Sequence, residues 1–188
     1  MPKVILILSA LLLFAGCGES YTPKPYGYFR IDFPPKQWLR TIDSLPYSFL
    51  LSAYARLLPD RTPEAEKGWM NIDYPSYNAR IHLSYKKISA DTSLASFIAD
   101  CHRMAYTHTI KAESINEKYF QRNHLSGLVY YIEGNAASST QFFITDSTRH
   151  FLRGALYFNQ HPDKDSLAPA IHYLRQDIVN LMESLSFK

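Results

Sequence analysis

Leu125-Ser126-Gly127-Leu128-Val129-Tyr130-Tyr131-Ile132-Glu133, Thr140-Gln141-Phe142-Phe143-Ile144-Thr145 and Phe151-Leu152-Arg153-Gly154-Ala155-Leu156-Tyr157-Phe158-Asn159 follow one another closely in the second half of the chain. Each run is dense in β-branched and aromatic side chains and short enough for a strand. Gly134-Asn135 and Asp146-Ser147, residues that favour turns, separate them. Strands joined by such short connections pair antiparallel, because a parallel crossover needs a dozen or more residues. The three runs therefore predict an antiparallel meander, and the rest of the chain must pack on it.

Upstream, Asn78 to Lys86 alternates polar and apolar residues, the pattern of a half-buried strand. Tyr28-Phe29-Arg30-Ile31-Asp32-Phe33, stopped by Pro34-Pro35, has a near-copy in Met70-Asn71-Ile72-Asp73-Tyr74-Pro75, which predicts two similar strands in one sheet. Tyr47 to Leu58 is a strand candidate of mixed periodicity, and Pro59 to Gly68 is polar and turn-rich. Asp91-Thr92-Ser93 supplies an N-cap for a helix with Leu94, Phe97, Ile98, Cys101, Met104, Ala105 and His108 on one face, running to about Lys111. After a polar stretch and the three strand runs, Asp165-Ser166 with Pro169 in the first turn opens a second helix, striped by Ile171, Leu174, Ile178, Leu181, Met182 and Leu185. Strands, a helix, more strands and a helix make an α+β fold. The expected architecture is a curved antiparallel sheet of about six strands packed with two main helices, resembling by analogy the PsbP-like sandwich.

The start of the chain sets its compartment. Lys3 is followed by the apolar run Val4 to Ala15 and then by Gly16 and Cys17, a secretory signal with a basic start, an apolar middle and a small residue at the cut. The run falls short of the ~20 apolar residues that span a bilayer. Phe14-Ala15-Gly16-Cys17 resembles the lipobox of bacterial lipoproteins, which implies that Cys17 is acylated and becomes the first residue of the mature chain. The expected organisation is a signal peptide over residues 1–16, a lipidated tether over 17–27 with Pro23 and Pro25 extending it, and a single α+β domain over 28–188. Gly18 is not the Asp that holds some lipoproteins at the inner membrane, so attachment to the outer membrane, facing the periplasm, is the expectation.

Twenty Lys and Arg against 17 Asp and Glu, scattered rather than clustered, argue against a nucleic-acid surface. Fourteen Tyr and 11 Phe suit β-structure and either a packed core or an aromatic contact surface. With Cys17 lipidated, Cys101 stands alone, so neither a disulfide framework nor a cysteine metal site is expected, and its place in an apolar stripe marks a buried hydrophobe.

Motifs that carry chemistry are sparse. The chain has no Gly-rich phosphate loop, no His-Glu-x-x-His and no Gly-x-Ser-x-Gly, and no cofactor or metal site is expected. Asp146, Ser147 and His150 lie together, and a hydrolase would use Ser147 as nucleophile with His150 as base. Triads, however, are assembled from distant segments, and Asp and Ser are what a turn between strands requires. Arg153 has two readings: it binds an acidic ligand or partner, or it faces solvent from a strand in which Gly154 marks a bulge or a close approach. Asp146, His150 and Arg153 are thus the candidate interaction residues, and a periplasmic hydrolase or small-ligand binder built on them is the alternative function.

Tyr21-Thr22-Pro23-Lys24-Pro25 with Gly27 to Pro34, Trp69 to Pro75, Ile81 to Lys86, His108 to Ala112, Gly134 to Ser138, Thr145-Asp146-Ser147, His150 to Asn159 and Asp165 to Pro169 together resemble the gliding-motility lipoprotein D (GldD) family. The resemblance spans nearly the whole mature chain. It implies an envelope lipoprotein required for gliding, working beside the machinery of type IX secretion, with no enzymatic activity. Its partners would be membrane lipid, through acylated Cys17, and proteins of the gliding and secretion apparatus. Cys17 is the one functional residue that the resemblance transfers.

Overall fold

The computed structural model describes residues 31–41, 44–89 and 93–188. Within them run β1 (Trp38–Arg40), β2 (Tyr47–Ser48), β3 (Leu50–Ser52), β4 (Arg56–Pro59), β5 (Met70–Tyr74), β6 (Ala79–Lys87), α1 (Leu94–Tyr106), β7 (Ala112–Arg122), β8 (Leu125–Gly134), β9 (Ser138–Thr145), β10 (His150–Phe158), α2 (Lys164–Ser184) and β11 (Ser186–Phe187). Seven strands form an antiparallel sheet in the order β4-β5-β6-β10-β9-β8-β7, while β1 pairs with β3 and β11 with β2.

The meander predicted from the three apolar runs is present as β8, β9 and β10, with Gly127 opposite Ile144 and Gly154 opposite Phe142. β10 then pairs with β6 along nine residues, from His150 opposite Lys87 to Phe158 opposite Ala79. Because successive side chains leave a strand on opposite faces, this register sorts the residues into two layers. Ile81, Leu83, Tyr85, Leu152, Leu156, Phe142 and Ile144 meet Tyr173, Leu174, Ile178, Leu181 and Met182 of α2. On the other face Leu128, Tyr130, Ile132, Phe143 and Phe151 meet Cys101 and Ala105 of α1. The β1–β3 pair lies outside α2, with Ser184 Oγ accepting from Leu50 N at 2.8 Å and Asn180 Nδ2 donating to Leu50 O at 3.2 Å.

Several sequence expectations are corrected. Ile31 to Phe33 is not a strand, so Met70–Tyr74 has no strand twin in these described residues; Phe33 stacks instead on Tyr173 with centroids 4.7 Å apart. Residues 28–30 lie outside the described residues. The Tyr47 to Leu58 candidate divides into β2, β3 and β4, which join three different sheets, and this explains its mixed periodicity. The stretch taken as polar connection holds β7, an 11-residue edge strand exposed along most of its length; with it the main sheet has seven strands, in keeping with the expected sheet of about six. α1 ends at Tyr106 and a 3-10 turn continues to Ile110; Ser93 caps α1 without a side-chain hydrogen bond, and Asp91 and Thr92 lie outside the described residues. α2 starts one residue early, at Lys164, where Asp163 caps it through the backbone N–H groups of Asp165 and Ser166, and Pro169 stands inside the helix rather than in its first turn.

Residues 33–36 are fastened to α2. Tyr173 Oη donates to Pro34 O at 3.0 Å, and the Lys36 ammonium pairs with Asp177, which is 3% exposed. Burial outweighs the attraction in both partners, lowering the pKa of Lys36 and raising that of Asp177. Removing only the cation strands a buried carboxylate, so Lys36→Met is expected to cost about 3–5 kcal/mol in urea unfolding, and Lys36→Met with Asp177→Leu to recover most of it.

Gly154 is the close approach that the sequence offered as one reading. A Cβ there would lie 2.2 Å from Phe142 Cζ, and Phe142 is 1% exposed, so its ring has no free space to retreat into. Gly154→Ala is expected to destabilise by about 1–3 kcal/mol, and Phe142→Leu in the same chain to return part of that loss in thermal unfolding.

Candidate functional site

The β9–β10 turn is built around a carboxylate. Asp146 Oδ1 accepts from the backbone N–H of Thr148 at 3.0 Å, of Arg149 at 2.8 Å and of His150 at 2.8 Å. Burial by itself would raise the pKa of Asp146, but the three backbone donors and the His150 ring together hold it below the ordinary carboxylate value. Thr145 Oγ1 donates to His150 O at 2.6 Å and accepts from Ser147 N at 2.9 Å, and Ser147 takes a left-handed φ of 63° to complete the turn.

His150 is buried beneath this turn. Its Nδ1 meets Tyr85 Oη at 2.7 Å, its Nε2 faces Asp146 Oδ2 at 4.0 Å, and its ring stacks on Phe187 at 5.0 Å. Both ring nitrogens are directed at groups other than Ser147, whose Oγ lies 3.5 Å from Ser126 Oγ instead. Asp146 and His150 are therefore brought together, and Ser147 is held apart from the imidazole that would activate it. The arrangement closes a strand connection; it does not align a nucleophile with a base.

Arg153 is separated from this turn by the pleat. His150 points to the α2 face with Tyr85, whereas Arg153 points to the α1 face and donates from Nη2 to Gln141 Oε1 at 2.8 Å. Its side chain is half-buried rather than solvent-facing, and its Nε has no partner. Cys101 is buried at 4% exposure, and burial pushes its thiol up to about 12, as suits a packing residue. Cys17 lies outside the described residues.

A sequence profile described as gliding motility lipoprotein GldD matches residues 18–187. The chain belongs to that family. The match covers most of the sequence, so this GldD-family protein is a gliding motility lipoprotein, and such a lipoprotein is a membrane-anchored protein of the cell envelope. No curated protein matches the sequence. Among solved structures, the fold is similar to the solution structure of cyanobacterial PsbP (CyanoP) from Synechocystis sp. PCC 6803, with a TM-score of 0.51 at 9% identity, over 91% of this chain and 100% of that one. At that identity the likeness shows the fold alone, and it agrees with the sandwich expected from element order.

The GldD-family chain has a second polar cluster that its sequence did not single out. Asn71, Arg80 and His82, with Leu58 and the loop Pro59-Asp60-Arg61-Thr62, line a cleft of about 490 Å³ on the α1 side of the sheet, beyond the strands that α1 covers. Arg80 is held by Asp73 through Nε at 2.5 Å and Nη2 at 3.0 Å. Strict alternation over residues 78–86 assigned Arg80 and His82 to the polar face, the signature of any solvated strand. Their convergence on Asn71 depends on pairing between β5 and β6, which a single strand pattern does not contain.

Burial lowers the pKa of His150, and Arg149 and Lys87 lower it further, against the opposing pull of Asp146. The folded state therefore prefers neutral His150, so its contribution is present above the ordinary histidine value of about 6.5 and is lost as pH falls through the folded value. His82 and His108 are shifted the same way, mainly by burial. The melting temperature is expected to fall as pH is lowered from about 6.5 toward 5, and His150→Asn to flatten part of that fall while His82 and His108 keep the remainder. Scanning calorimetry across this range checks it.

Proposed function

We propose that this protein is a non-catalytic component of the gliding apparatus, associated with the type IX secretion machinery and held in the outer membrane by lipid on Cys17. The observation that carries this reading is the family match over residues 18–187, which begins directly after the cysteine that ends the apolar signal. In this reading residues 1–16 are removed, residues 17–27 tether the protein, and residues 28–188 form one α+β domain facing the periplasm. One acyl chain gives only reversible membrane binding, whereas two or more hold stably, so anchoring at Cys17 would keep the body at the membrane without a spanning helix. Among the described residues no helix is long and apolar enough to cross a membrane.

The turn geometry favours this over the hydrolase alternative, since both nitrogens of His150 are directed away from Ser147. Partners are membrane lipid and apparatus proteins rather than nucleic acid. Wild-type cells fed labelled palmitate are expected to place the label on this polypeptide, and Cys17→Ser to lose the label, release the protein from the membrane fraction and stop gliding. Unlabelled wild-type protein would overturn the anchoring, and normal gliding by a soluble Cys17→Ser protein would overturn the need for it. Ser147→Ala is expected to leave gliding unchanged.

A further inference from the structure

On the α1 face, the pairing of five strands sets one row of side chains side by side. Leu58 opposes Asn71, Asn71 opposes His82, His82 opposes Ala155, and Ala155 opposes Gln141. Ala155 contributes only a methyl group, and Arg153, two residues earlier on the same face, reaches Gln141. Three polar atoms in this neighbourhood are neither solvated nor paired: Asn71 Oδ1, Gln141 Nε2 and Arg153 Nε. Asn71 is 7% exposed and Gln141 2%. A merely solvated sheet face would leave such atoms in water, where they cost nothing. Buried and unpaired, each costs about 1–3 kcal/mol.

The charge is unbalanced as well. Arg80 is neutralised by Asp73, but Arg153 has no ion-pair partner among the described residues. Arg153 lies on the same face as His82, with its Cα opposite Ser84, two residues along β6 from His82; burial, Arg80 and Arg153 disfavour protonation of His82 against the pull of Asp60 and Asp73. Asp60 on the rim is held in its own loop by Thr62 N at 2.9 Å.

We propose that this cleft binds a small ligand carrying a carboxylate or phosphate group, with the anion held by Arg153 and His82 and a neighbouring hydroxyl or amide held by Asn71. An oxyanion supplies the acceptor that Arg153 Nε lacks, and charge-assisted bonds of this kind are about twice as strong as neutral ones. The Asn71 amide carries a donor and an acceptor on one planar group, which suits a ligand with a polar group beside its acid. The site stands on the opposite side of the sheet from His150, and it is independent of how the protein is anchored.

The test is titration of the full-length chain in detergent micelles, with carbon-13 in its histidines, using inorganic phosphate in one series and citrate in the other. Saturable movement of the His82 ring signal is expected, with those of His161 and His172 still. Saturation by phosphate alone assigns phosphoryl ligands, by citrate alone carboxylates, and by both an oxyanion site of either kind. Arg153→Gln is expected to weaken binding about tenfold or more, equal to about 1.4 kcal/mol. Asn71→Asp, which changes charge but not shape, is expected to abolish binding and keeps the test valid should Arg153→Gln fail to fold; the His150 signal reports folding in each variant. Absence of saturation with both anions, equal movement at His161 and His172, or unchanged affinity in a folded variant would overturn the site.

Discussion

Strand β10 is hydrogen-bonded to β6 on one side and β9 on the other, and the pleat of this doubly paired strand governs the molecule. It sends Leu152 and Leu156 into the core under α2 and Phe151 into the core under α1. A slip of one residue would exchange these sets, bringing Arg153 to the α2 face in place of an aliphatic side chain. Gly154 enforces the register on the α2 side, because the Phe142 ring occupies the volume of its missing Cβ. Chemistry follows the same rule: His150 and Arg153, three residues apart, belong to different faces and cannot share a site.

What was legible in the sequence divides along physical lines. Apolar runs with turn residues between them revealed β8, β9 and β10, because buried central strands must be apolar whatever their neighbours are. The stripes at three and four residues likewise revealed both helices. β7 stayed hidden because only Ala112, Ile115 and Phe120 are half-buried along it, at spacings of three and five, so no alternation remains. Ile31 to Phe33 misled for the opposite reason: Phe33 is apolar to stack on Tyr173 and Tyr77, a packing demand that belongs to a segment packed against α2 rather than to a strand.

The candidate site shows the same division. Asp146 and Ser147 were readable as a turn, and the turn is what they make, with the carboxylate consumed by three backbone donors. Arg153 was readable as a candidate, but its surroundings were not, since its partner Gln141, and His82 and Asn71 on the same face, are placed there by registers between strands far apart in sequence. Family resemblance marked Cys17 and contributed nothing about the cleft. A motif reports residues adjacent along the chain, whereas a sheet gathers residues adjacent across it.

The fastening of residues 33–36 to α2 gives these faces different relations to the tether. Phe33, Pro34 and Lys36 all engage the α2 side, through Tyr173 and Asp177. A fully extended chain covers at most ~3.6 Å per residue, so an anchor at Cys17 would keep Phe33 within about 58 Å of the membrane surface. The tether would then join the body along its α2 face, while the cleft of Asn71 and His82 opens on the other side of the sheet. Tension along the chain would be borne first by the Lys36–Asp177 pair and the Phe33–Tyr173 stack, and would reach the cleft only through β5, β6 and β10. With lipid on Cys17 and an anion in the cleft, as proposed, the seven-stranded sheet would separate attachment on one face from recognition on the other.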